Sequence, residues 1–111
     1  MVSLEEGLRI FEKMYPERCF SGAEEYEKCF MYGSFERTWD GNPDHLKIGR
    51  GMDVIDKETG EISRHGMSDD DSIYGRFIKL IDLLPYLSES DAKYIRKVRS
   101  IEESYYSKST S

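Results

Sequence analysis

The run Val54-Ile55-Asp56-Lys57-Glu58-Thr59-Gly60-Glu61-Ile62 constrains the fold of this chain more than any other. Two β-prone segments flank a polar turn that ends in glycine. Gly60 can take the positive φ that closes a short hairpin loop without steric strain. Val54, Ile55 and Ile62 supply strand propensity on either side. The spacing predicts strands over residues 52–56 and 61–65. An antiparallel sheet therefore sits in the middle of a chain whose other patterns look helical.

The first helical pattern lies near the start. Ser3 and Glu6 have capping-box spacing, and Leu4, Leu8, Phe11 and Tyr15 recur on one helical face. Pro16 ends it, because the residue before a proline is pushed out of the α region. Residues 17–25 read as a connector, with a short strand around Arg18 to Phe20. Residues 26–37 read as a strand. Tyr26, Lys28, Phe30 and Tyr32 share one face, and Cys29, Met31 and Phe35 share the other. The aromatic face is expected to be the outer one. Residues 38–51 read as loop, dense in turn formers from Trp39 to Asp44.

Two further helices are expected after the hairpin. Ser68 caps the first, with Asp69, Asp70 and Asp71 in its opening turn, where the helix dipole favours negative charge. Ile73, Phe77, Leu80, Ile81 and Leu84 form its stripe, and Pro85 stops it. Tyr94, Val98, Ile101 and Tyr105 mark the last helix. The whole reads as one α+β domain over residues 1–106 with a polar tail over residues 107–111. The expected core is a three- to four-stranded antiparallel sheet, with the N-terminal and two C-terminal helices mainly on one face.

Charge and cysteine usage narrow the partners. The net charge is −6, from 22 acidic and 16 basic residues. Phosphate backbones repel such a surface. The bases Lys93, Arg96, Lys97 and Arg99 cluster where a helix carries cations near its C-terminus. Nucleic acid is therefore not an expected partner, and a basic protein is. No apolar run reaches membrane-spanning length. The opening residues are acidic and do not have the form of a secretory leader, so the cytosol is the expected compartment and Cys19 and Cys29 are expected as buried free thiols.

Chemistry-bearing patterns are sparse. Asp40, Asn42 and Asp44 have the alternate spacing that opens a calcium loop. However, His45 stands where that loop needs glycine and Gly51 where it needs glutamate. Cys19, Cys29, His45 and His65 have no short chelating spacing. Neither cysteine follows a glycine-rich turn, and Gly49-Arg50-Gly51 is too short to cradle phosphate. No catalytic residue, metal or cofactor is expected. Aromatic and acidic residues offer a binding surface instead. Tyr26, Tyr32, Glu36, Trp39, Asp40, Asp44 and Arg50 are the candidate partner contacts, centred on the loop from residue 39 to 50.

The chain resembles the immunity protein 35 group, the YrhB-like small bacterial immunity proteins, with the resemblance centred on residues 26–66. The matching pieces are residues 4–15, Cys29-Phe30-Met31-Tyr32, and Val54 through Ile62. From Ser68 onward the chain departs from that group. The resemblance implies a bacterial cytosolic antidote that occludes a cognate toxin and has no catalytic residues. The acidity is compatible with a basic toxin domain as partner. A subunit or interaction module of phage or mobile-element origin is the alternative, and a small hydrolase or metal-dependent enzyme the third.

Overall fold

The computed structural model describes residues 1–47, 50–66 and 68–109. Helix α1 (Leu4–Met14) opens on the expected capping box, with Ser3 and Glu6 each accepting the other's backbone N–H. Five strands follow: β1 (Arg18–Tyr26), β2 (Cys29–Glu36), β3 (Met52–Asp56), β4 (Ile62–His65) and β5 (Phe77–Asp82). They form one antiparallel sheet in the order β4-β3-β2-β1-β5. Helix α2 (Glu89–Ser109) closes the described chain. The class is α+β, as the sequence predicts. Among the described residues no helix is long and apolar enough to cross a membrane.

The hairpin forms at its predicted place. Gly60 has φ +74°. The Asp56 carboxylate accepts the N–H groups of Glu58 and Thr59, which hold its pKa below the usual value. Other elements differ from expectation. The connector at residues 17–25 is almost all strand, because the apolar side chains Cys19, Phe20, Ala23 and Tyr26 pack on both sides of a sheet. The β2 residues alternate as predicted, but both of its faces are buried. The last helix runs on to Ser109, through residues expected in the tail; residues 110 and 111 lie outside the described residues.

The largest departure is at residues 68–84, where no α-helix forms. A 3-10 turn (Asp71–Tyr74) leads through Gly75, at φ +81°, into β5. The predicted stripe does not become a buried face: Ile73, Phe77 and Leu80 are exposed. Among the described residues the sheet consequently has five strands rather than three or four, and there are two α-helices rather than three.

The two helices also lie on opposite faces rather than mainly on one. Register decides this. Cys19 is opposite Phe35, and Phe20 is opposite Ser34. Adjacent strand residues point to opposite faces. Leu8 and Phe11 of α1 cluster with Phe20, Phe30, Tyr32 and Ile55. Ile95 and Val98 of α2 cluster with Cys19 and Phe35. A bulge at Ser21 keeps this division in step along β1, so that Gly22 pairs with Gly33 on the α2 face.

The α1 face is the tighter of the two. Tyr32 is fully buried, and its hydroxyl donates to the Leu4 carbonyl at 2.8 Å. Gly7 lies over that hydroxyl, where a Cβ would stand 2.3 Å from the oxygen. Helical glycine ordinarily costs about 1 kcal/mol relative to alanine. Here the space it leaves admits the tyrosine. Gly7→Ala is therefore expected to destabilise by about 1–3 kcal/mol, the range for overpacking. In a Tyr32→Phe background the same substitution should cost at least about 1 kcal/mol less, as expected for residues in contact. Chemical denaturation of the four variants measures this, and additive effects would contradict it.

Candidate binding surface

The residues expected to contact a partner do not form one surface. Glu36, Trp39, Asp40 and Asp44 come together at the loop after β2, which folds onto itself and onto α2. The Trp39 indole N–H donates to the Asn42 carbonyl at 2.9 Å, and its ring meets Phe35 edge-on at 4.9 Å. The Tyr94 hydroxyl donates to the Trp39 carbonyl. At Gly41, φ +89°, a Cβ would lie 2.8 Å from Ile101, so the loop seats directly on α2. Trp39 is thus a loop anchor as well as part of the lining of a cavity of about 250 Å³ shared with Arg18, Glu36, Asp40 and His45.

Local bonds use the Asp40 carboxylate and the Asn42 side chain of this loop. Asp40 accepts the Asn42 N–H at 2.9 Å and lies 2.8 Å from His45 Nδ1. These two contacts, the backbone one first, hold the Asp40 pKa below the usual carboxylate value. The Asn42 side chain accepts the Asp44 N–H. These are Asx turns in which the oxygens face their own backbone. Among the described residues no three His, Cys, Asp or Glu side chains converge as a metal site.

The other three expected contacts lie elsewhere. Tyr32 is in the core, because its ring fits under Gly7. Tyr26 belongs to β1 and is buried at the far end of the α2 face, beneath Tyr74. Arg50 leaves the loop to neutralise Asp53, a carboxylate only 2% exposed, at 2.9 Å. Its guanidinium also stacks on Tyr15, 4.4 Å from the ring centre. A buried carboxylate needs a cation, and Arg50 is spent on that task.

A different surface is open, and the sequence reading missed it. Two covers occupy the ends of the α2 face. At one end, α2 lies over Cys19 and Phe35. Arg99 bonds both Asp82 carboxylate oxygens, at 2.9 and 3.1 Å. At the other end the 3-10 turn lies over Tyr26, Cys29 and Met31. It is tied there by Asp71, 2.5 Å from His65 Nε2, and by Tyr74 against the His65 ring. Between the covers the sheet is bare. A trough of about 500 Å³ runs over Gly22 and Gly33, with Met52, Leu80, Glu24 and Arg99 around it.

The trough opens onto β5, an edge strand. Its Phe77, Ile78 and Leu80 are 46, 43 and 75% exposed, and Ile73 of the preceding 3-10 turn is 62% exposed. Such a row is a recognised association hazard on a free edge. Gly75 was the signal for it. Glycine disfavours a helix interior, and the Phe-Ile-Lys-Leu-Ile run after it is rich in strand formers.

Scans against family models, curated proteins and solved structures match nothing to this chain.

Two expectations follow for the groups around this surface. Burial raises both the Cys19 and Cys29 thiols to about 11. Neither should react with iodoacetamide at pH 8 in the native protein, and both should react in denaturant; fast native labelling would contradict their burial. Asp82 is held below the usual aspartate pKa, chiefly by Arg99. A depressed carboxylate stabilises the fold above its unfolded pKa, about 3.9, and loses that effect as pH falls through its folded value. The pair is half exposed, so Asp82→Asn should cost only about 0.5 kcal/mol at pH 7. The difference from wild type should vanish on acidification. A difference that grows below pH 4 would contradict the assignment.

Proposed function

We propose that this chain is a non-catalytic protein-binding module whose contact surface is the trough on the α2 face and the β5 edge beside it. The observation that carries this reading is the pair of opposed glycines at its floor. Neither Gly22 nor Gly33 has a positive φ. A Cβ at either would meet only ordinary contacts, at 3.6 Å and beyond. The fold does not require glycine at these two places. Glycine inside a strand weakens it and leaves space for close approach. A bare floor beside exposed Ile78 and Leu80 suits a partner that buries apolar surface there.

The immunity-protein reading, which rests on the resemblance centred on residues 26–66, is the specific form this takes. In that form the chain covers a cognate toxin and blocks it by occlusion. The net charge of −6 suits a basic toxin domain by raising the encounter rate. A subunit of a larger assembly would use the same surface for a different partner.

Co-expression with the product of the adjacent gene tests the reading. The expected result is a stable complex, with rescue of growth where that product is toxic. Gly33→Val separates fold from function. It should leave thermal stability unchanged or raised, yet weaken the complex at least tenfold. A complex unaffected by Gly33→Val and by Leu80→Glu would sink this assignment of the surface.

A further inference from the structure

The free side of β5 has a defined hydrogen-bonding pattern. The Leu83 N–H donates to the Ser21 carbonyl at 3.1 Å. The register continues as Gly22 with Asp82, Ala23 with Ile81 and Glu24 with Leu80. In an antiparallel ladder, bonded and non-bonded pairs alternate. Leu83 and Ile81 thus direct their N–H and C=O groups at β1. Leu80 and Asp82 direct theirs outward. Among the described residues no strand pairs with that outer side.

The charges along this edge differ between the faces. On the α2 face, Glu24 neighbours Leu80 across the β1–β5 ladder and accepts only the Tyr26 hydroxyl. Among the described residues it forms no ion pair, and Arg99, which lines the same trough, is held by Asp82 at 2.9 Å. On the α1 face, Lys79 neighbours Glu25, whose carboxylate is already held by Lys57 at 2.8 Å. A two-fold pairing of β5 with a second copy keeps like faces together. In the register centred on residue 79 it brings the two Lys79 side chains across from one another, which is unfavourable for like charges. Lysine on an edge strand acts against self-association in this way.

From this pattern we infer that β5 receives an extended strand from a different protein, with a lysine or arginine placed opposite Leu80. The outward groups of Leu80 and Asp82 complete the ladder with that strand. The methylene stem of the incoming side chain lies on Leu80, and its cation reaches Glu24. This rests on the binding surface proposed above and specifies how its partner is held.

The probe is a labelled eight-residue peptide of alternating valine and lysine, followed by fluorescence anisotropy and by amide chemical shifts of the intact chain. Binding should shift the Leu80 and Asp82 amides. Leu80→Pro removes only an outward N–H, so it should preserve the fold and weaken binding at least tenfold. Leu80→Lys keeps the backbone donor and should weaken binding by repulsion. Glu24→Gln should weaken it at least threefold. The same peptide with proline at its central valine should not bind. Equal binding of the two peptides would mean charge attraction alone, and would overturn the inference. So would shifts confined to another face, or a concentration-dependent dimer that Leu80→Pro abolishes. If Gly33→Val weakens a cognate complex while Leu80→Pro does not, the strand addition fails and the binding surface stands.

Discussion

One polar contact inside an apolar core sets the position of everything else. The Tyr32 hydroxyl reaches the Leu4 carbonyl through space that Gly7 leaves open. An unpaired buried hydroxyl would cost about 1–3 kcal/mol, so helix and sheet are matched in rotation as well as in distance. Once α1 is seated on Phe20, Phe30, Tyr32 and Ile55, the alternation of the strands leaves Cys19, Cys29, Met31 and Phe35 on the other side. Those side chains need a cover of their own. The C-terminal segments and the Trp39 loop give it, and they reach the two ends of that face but not its middle.

The opening between the covers is therefore a product of the packing and of the residues placed there. Gly22 and Gly33 carry nothing that projects, and Leu80 projects into solvent. The chain keeps an apolar edge exposed where proteins more commonly bury or charge it. Lys79 and a register shift in β5 next to Phe77 limit self-pairing without removing the apolar surface. Under the proposed reading, a surface kept open in this way serves the recognition of a different protein.

Much of this was legible in the residues, and the losses have physical causes. The hairpin at Gly60 and the start of α1 at Ser3 rest on bonds between near neighbours, so their sequence signals are direct. The alternation of β2 was visible for the same reason, but its two-sided burial depends on both helices and was not. Tyr32 and Tyr26 looked like surface aromatics because burial of a tyrosine depends on what lies above it. Arg50 looked like a partner contact because the burial of Asp53, the carboxylate it neutralises, depends on the folded sheet. The β5 segment misled most. Ile73, Phe77, Leu80, Ile81 and Leu84 satisfy a helical period, while the dihedral angle of Gly75 and the demand of β1 for a second neighbour favour a strand. Apolar residues on a free edge also imitate a buried stripe.

Amide hydrogen exchange across residues 73–84 tests the architecture most directly. The account requires slow exchange at Ile81 and Leu83, whose N–H groups face β1. It requires exchange near the rate of an unstructured peptide at Leu80 and Asp82, whose N–H groups face solvent. A continuous protected run through this segment, with helical carbon shifts, would contradict the five-stranded sheet and the open edge built on it.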